Sequence, residues 1–376
     1  MSEPKPASSG TGGNAGDPYR VMVVDDSAVI RGLLTRALEQ DPTIKVAASV
    51  GNGEAALKAL DRHDIDVIIL DIEMPVMDGL TALPKLLAAK PGVQVIMAST
   101  LTRKNAEVSL RALQAGAADY LPKPSSTSEL TGADVFRREL LGKVKALAKA
   151  ARPTRPATAR SSDVAVRVPR PLRPISLRRP SAVLPRAIAI GSSTGGPQAL
   201  LEVLRDLAKS VKLPILVTQH MPATFTTLLA EHIARATGMP CAEGRDGEAV
   251  AAGRIYLAPG NYHMTVEGAA AGCVIRLNQN PPENFCRPSV DPMLRSLASF
   301  YGAALLTIIL TGMGTDGQKG AAEAVAAGGT VVAQDEATSV VWGMPGAVAT
   351  SGLCSAVLPL REIGPSVRKL VMRSAA

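Results

Sequence analysis

Seven prolines and nine arginines fall between Ala151 and Arg186, with no lysine and a single acid, Asp163. Such a stretch offers too little apolar surface to form a core, and its prolines favour extended backbone. It therefore cuts the chain in two. At 376 residues the chain is already long for one domain, and each flank is long enough to bury a core of its own. The same stretch explains the charge. Its nine arginines and one aspartate sum to +8, the net charge of the whole chain, so the two flanks together are neutral. The basic balance says little about the folded parts, and nucleic acid is not an expected partner. Aromatic residues are only 3% of the chain, which leaves bases few stacking platforms.

The expected divisions are a polar tail over 1–18, a first domain over 19–137, a helix end and linker over 138–185, and a second domain over 186–376. Cys241, Cys273, Cys286 and Cys354 form no C-x-x-C pair and no zinc spacing with histidine. Free thiols fit a reducing cytoplasm. The N-terminus lacks the basic-then-apolar pattern of a signal peptide. No apolar run approaches the roughly 20 residues of a membrane span.

Both flanks alternate strand-like and helix-like runs. In the first, Val21–Val24, Ile44–Ala48, Val67–Leu70 and Val93–Ala98 read as strands, and Arg31–Gln40, Glu54–Asp61 and Asn105–Ala115 as helices. In the second, Ala187–Ile190, Leu213–Thr218, Ala304–Leu310 and Thr330–Ala333 read as strands. This alternation predicts two α/β domains, each a doubly wound parallel sheet covered by helices.

In such sheets ligands bind at the carboxyl ends of the strands. Asp25 and Asp26 end the first strand and Asp71 the third. Three carboxylates at one edge repel each other, and an all-oxygen set suits Mg²⁺. Asp71 could then attack a phosphoryl group. Ser99 and Lys123 end the fourth and fifth strands and supply a hydroxyl and an ammonium for that group. Pro84 falls in the expected third helix, and because proline suits only a first turn, that helix is expected to start late. The motifs Val-Val-Asp-Asp-Ser (23–27), Leu-Asp-Ile-Glu-Met-Pro-Val-Met-Asp-Gly (70–79) and Lys-Pro (123–124) resemble a two-component receiver domain. The resemblance implies a flavodoxin-like fold. It also implies phosphorylation of Asp71 by a histidine kinase, Mg²⁺ held by Asp25, Asp26 and Asp71, and Ser99 and Lys123 as sensors of the phosphoryl group.

In the second flank, Gly191-Ser192-Ser193-Thr194-Gly195 fits the G-x-S-x-G turn that presents a nucleophile between strand and helix. Pro197 suits the first helical position, with Gly196 as its cap. The helix end would favour developing negative charge at Ser193. A phosphate site is the competing reading of this turn, but the P-loop lysine and the G-x-G-x-x-G spacing are missing. Of the four histidines, His220 shares the strand-end placement of Ser193 and is the candidate base. His232 falls within a helical pattern and His263 in a Pro/Gly loop. Asp316 follows the apolar run 305–310 and is the candidate orienting acid. The alternative makes it a helix cap. The order Ser193, His220, Asp316 differs from that of the α/β-hydrolases.

Residues 186–372 resemble the chemotaxis protein-glutamate methylesterase family. The resemblance rests on Ile-Gly-Ser-Ser-Thr-Gly-Gly (190–196), Thr-Gln-His-Met-Pro (218–222), Ala-Pro-Gly-Asn-Tyr-His-Met (258–264), Arg-Pro-Ser-Val-Asp (287–291), Leu-Thr-Gly-Met-Gly-Thr-Asp-Gly (310–317) and residues 333–345. It implies a Rossmann-like domain with Ser193 as nucleophile, His220 as base and Asp316 as orienting acid. The Met313 amide is implied at the oxyanion hole and Thr194 at the imidazole. The implied substrates are methyl-accepting chemotaxis receptors, reached at the membrane only through those receptors, and the implied phosphodonor is the chemotaxis histidine kinase. No cofactor is implied for the esterase step. The rival reading is a response regulator whose basic linker binds DNA or membrane, with no catalysis.

Overall fold

The computed structural model describes residues 17–100, 102–123, 130–152, 175–269 and 272–372. The expected tail thus lies outside the described residues up to 16, and the linker outside them over 153–174. The Lys123-Pro124 peptide lies outside them too.

The first domain runs β1 (Tyr19–Val24), α1 (Ala28–Glu39), β2 (Ile44–Val50), α2 (Gly53–Leu60), β3 (Val67–Asp71), α3 (Gly79–Ala89), β4 (Gln94–Ser99), α4 (Arg103–Gln114), β5 (Asp119–Pro122) and α5 (Leu130–Ala151). Its strands lie in the order β2-β1-β3-β4-β5, all parallel. β3 is buried along its whole length, which is why it reads as a continuous apolar run. Side-chain caps start the helices: Ser27 for α1, Asn52 for α2, Asp78 for α3 and Thr102 for α4.

Two expectations change here. α3 does not start late. Asp78 accepts the Thr81 amide at 2.7 Å, the helix begins at Gly79, and Pro84 sits inside it. The cap and the burial of Ala82, Leu83 and Leu86 compensate for the amide that Pro84 lacks. The first domain also passes residue 137. Leu140, Val144, Leu147 and Ala148 of α5 are buried in one cluster with β1, β3 and β4, so the body extends to Ala151.

The second domain runs β6 (Ala187–Ser192), α6 (Gly196–Leu207), β7 (Ile215–Gln219), α7 (Ala223–Thr237), β8 (Cys241–Glu243), β9 (Ile255–Leu257), β10 (His263–Ala269), β11 (Gly272–Asn278), α8 (Val290–Tyr301), β12 (Leu305–Ile309), α9 (Gln318–Ala326), β13 (Thr330–Gln334), α10 (Met344–Thr350), β14 (Ala356–Leu358) and α11 (Leu360–Val371). Seven strands make a parallel sheet in the order β14-β13-β12-β6-β7-β9-β8. β10 and β11 form a separate antiparallel hairpin. Residues 175–186 are extended along this domain: the Arg178 amide donates to Cys354 O at 2.8 Å and the Ser181 amide to Thr330 Oγ1 at 2.9 Å. The second body therefore begins before residue 186.

The two domains touch. The rings of Tyr120 and Phe225 stack at 4.2 Å, and Gln198 donates to the carbonyls of Leu113 and Ala117. Val340, Val341 and Met313 join the apolar cluster of the first domain. Among the described residues no helix is long and apolar enough to cross a membrane.

Candidate active site

At the carboxyl edge of the first sheet, ligand atoms of Asp25, Asp26 and Asp71 all lie within 4.8 Å of one another. Lys123 Nζ stands 2.6 Å from both Asp25 Oδ2 and Asp71 Oδ1. Three carboxylates converging in an all-oxygen cluster fit a hard divalent cation such as Mg²⁺. Burial pushes the Asp71 carboxyl above its usual range, against the pull of Lys123. Ser99 is buried beside this edge and accepts a bond from Ser109 Oγ at 3.0 Å. The sequence-predicted residues thus converge.

The second edge is built on the adjacent strands β12, β6 and β7. β6 delivers Ser192 and Ser193 into a turn closed by Gly195, whose φ of 75° suits glycine. Gly195 caps α6, one residue earlier than expected. The Ser193 amide donates to Thr311 O at 3.0 Å, and the Gly196 amide to Ser193 O at 2.7 Å. Gln219 steadies the turn from β7, donating to Ser193 O at 2.9 Å and accepting from Ser192 Oγ at 2.6 Å. The loop after β12 passes so close that a Cβ on Gly312 would stand 2.9 Å from Ser193 Cβ.

His220 follows β7 and Asp316 follows β12. Their side chains meet, with Nε2 2.7 Å from Oδ2. Asp316 is 1% exposed and is saturated with donors. Ser289 Oγ and the Asn284 amide reach Oδ1 at 2.8 Å each. Backbone amides arrive from Val290 at 2.6 Å, Gly317 at 2.9 Å and Asp291 at 3.1 Å. Burial raises its pKa, but His220 and these donors outweigh that and bring it down to about 2, so it stays ionised. Burial also opposes a charged His220, yet the facing Cys286 sulfur and Asp316 hold its pKa well above the usual 6.5.

Ser193, His220 and Asp316 line one cavity of about 530 Å³. Within it, the described hydrogen bonds of the His220 ring go to Asp316 and Cys286, not to Ser193. Thr194 also departs from expectation. Its hydroxyl donates to Asp119 Oδ2 of the first domain at 2.6 Å, because β5 begins, at Asp119, against the turn. Met313 lines the cavity, and its side chain packs toward Gly142 of α5. His263 is buried and bonds Pro281 O and the Ser289 amide, a structural role. His232 meets Gln114 across the domain boundary. Sequence reasoning assigned no role to Asn284, Cys286, Ser289 or Asp291. Ser289 and Asp291 lay within the Arg-Pro-Ser-Val-Asp motif, the one signal that pointed to them.

Residues 188–367 match the CheB methylesterase family model, and residues 21–133 the response regulator receiver domain model. The protein-glutamate methylesterase/protein-glutamine glutaminase of Azospirillum brasilense is 61% identical over 384 residues, covering 99% of this chain and 98% of that protein. The corresponding protein 1 of Paramagnetospirillum magneticum is 59% identical, covering 96% and 98%. The crystal structure of the Thermotoga maritima CheB methylesterase catalytic domain is 39% identical, covers 50% of this chain and all of that one, and has a TM-score of 0.48. With a receiver domain set before a methylesterase domain and this identity across nearly its whole length, the chain belongs to the CheB family of protein-glutamate methylesterases.

Proposed function

We propose that this protein hydrolyses γ-glutamyl methyl esters on methyl-accepting chemotaxis receptors, deamidates receptor glutamines at the same site, and is switched on by phosphorylation of Asp71. Both activities stand in the names of its relatives. One observation carries the reading: the strand-end residues Ser193, His220 and Asp316 share one cavity, with the imidazole on a fully ionised carboxylate.

The Ser193 hydroxyl attacks the ester carbonyl, and Nδ1 of His220, the ring nitrogen that Asp316 does not hold, takes its proton. The negative charge that develops on the carbonyl oxygen is met by the Met313 amide and the amino end of α6. The tetrahedral adduct then expels methoxide, which leaves as methanol with the proton from His220. A water, deprotonated by the same ring, attacks the acyl-serine and releases the glutamate and free Ser193. With glutamine the leaving group is ammonia.

Asp71 accepts a phosphoryl group from the chemotaxis histidine kinase, and Ser99 and Lys123 bind its oxygens. Asp25, Asp26 and Asp71 would hold Mg²⁺, which would supply charge neutralisation for that transfer when bound. The control lies in the domain contact. Asp119, Tyr120, Arg138 and Lys143 of the receiver form one wall of the Ser193 cavity, so the unphosphorylated receiver stands where a receptor helix must enter. Phosphorylation adds charge at the receiver edge and loosens that wall.

The test is methanol release from methylated receptor by the full chain. Adding acetyl phosphate with Mg²⁺ should raise the rate about tenfold, roughly 1.4 kcal/mol in the closed-to-open balance, and Asp71→Asn should remove the rise. No methanol under either condition contradicts the esterase reading; equal rates contradict the switch. The pH profile is a second check. A general base works only when neutral, and the environment of His220 favours the protonated ring. Activity should therefore be lost as pH falls through a value above 6.5, the ordinary histidine pKa. A limb at or below that value contradicts the assignment.

A further inference from the structure

Both ring nitrogens of His220 are occupied in this structure. Nε2 faces Asp316 at 2.7 Å, and Nδ1 faces Cys286 Sγ at 3.4 Å. Asp316 is fixed by donors from several elements, so Nε2 is committed. Nδ1 is then the nitrogen left to take the Ser193 proton, and Cys286 stands on it.

Cys286 is held there by construction. Residues Glu283 to Cys286 form a tight turn closed by the Cys286 amide on Glu283 O at 2.9 Å. Its two central residues, Asn284 and Phe285, have φ of 52° and 62°, a left-handed pair that is costly for a phenylalanine. Three contacts retain the turn. Arg295 grips Glu283 through both terminal guanidinium nitrogens, at 2.9 and 2.5 Å. The Asn284 amide bridges Asp291 at 2.9 Å and Asp316 at 2.8 Å. The Phe285 ring, 79% exposed, lies under Arg138 of the receiver at 4.4 Å. The turn thus touches both members of the His220–Asp316 pair on its inner side and the receiver on its outer side.

We propose that Cys286 is a positioning residue that holds the His220 ring in a resting orientation, competing with Ser193 for Nδ1. This rests on the reading of His220 as the base for Ser193. In the resting arrangement the ring can donate from both nitrogens, and then it has no lone pair for the serine proton. Release of the sulfur contact frees that lone pair. The charged groups around the cavity are Asp119, Arg138, Glu139 and Lys143 from the receiver, and Arg287 and Asp316 from the catalytic domain. Of these, Asp316 makes a hydrogen bond with the ring.

The experiment measures kcat for methanol release against pH in the unphosphorylated full chain. Cys286→Ala should raise kcat at pH 7 about threefold and move the acidic limb down by about half a pH unit, the same effect read two ways. Cys286→Ser, which keeps a polar partner at Nδ1, should stay within about 1.5-fold of the parent. If the alanine chain does not fold, Cys286→Val keeps the volume without the partner and should behave as alanine should. An unmoved limb in the variants lacking the partner overturns the proposal, whether or not kcat changes. Ser193→Ala is run alongside. If it is dead while the Cys286 variants match the parent, the competition alone is wrong. If it retains methanol release, the reading of Ser193 and His220 falls first.

Discussion

Asp316→Asn is expected to lower kcat for methanol release by about 10⁴-fold, the scale seen when the orienting carboxylate of a serine triad becomes an amide. The donors around Asp316 explain why the change is severe. Its two oxygens accept five bonds besides that of His220, three of them from backbone amides that cannot rotate away. An asparagine must turn its NH₂ either toward these donors or toward His220. The first choice buries unsatisfied donors against one another. The second makes the imidazole accept at Nε2 and keep its proton on Nδ1, the wrong tautomer to receive a proton from Ser193. The second choice removes the base while Ser193 remains, and the clash of donors makes the first the costlier of the two. The check is kcat with circular dichroism to confirm folding, and Ser193→Ala as the floor of the assay. A loss under tenfold in a folded Asp316→Asn chain contradicts the triad.

Asp316 also shows how far the sequence could be read. It sits just past an apolar strand, as do Ser193 and His220. Strand ends in a parallel sheet converge on one edge, so position along the chain was enough to bring these side chains together. The same logic placed Asp25, Asp71, Ser99 and Lys123. It could not place Asn284 and Cys286, which lie on a turn between a hairpin and α8. No periodicity marks a left-handed Asn-Phe pair, and only tertiary packing carries it to His220. β8, β9 and β14 escaped notice because each has three residues, too few to show a pattern. Pro84 misled because local propensity predicts a break that a cap and a buried face override. The bond from Thr194 to Asp119 was invisible for a different reason: it joins domains separated by a linker whose composition says nothing about how they dock.

That bond carries the other large prediction. Asp119→Ala should raise the basal, unphosphorylated rate of methanol release about thirtyfold. Thr194 and Asp119 are 2% and 6% exposed, and the hydroxyl meets the carboxylate at 2.6 Å. A buried hydrogen bond to a charged group contributes about 2 kcal/mol, and that much removed from the closed arrangement multiplies the open population about thirtyfold. The receiver itself should survive, because Lys143, the cation paired with Asp119, keeps Glu139 at 3.0 Å and Tyr120 O at 2.6 Å. Stimulation by acetyl phosphate should shrink in proportion, since the variant begins partly open. Arg103→Ala is the control. Arg103 and Glu231 also span the boundary, at 3.5 Å, but their side chains are 74% and 44% exposed, and exposed pairs contribute little. Its basal rate should stay within about twofold. If both variants leave the basal rate unchanged, the receiver does not restrain Ser193 through this face. If both raise it equally, any loosening suffices and the buried contact to Thr194 is not the latch. A rise confined to Asp119→Ala places the restraint one residue from the nucleophile, where movement of β5 would be felt directly by the turn that carries Ser193.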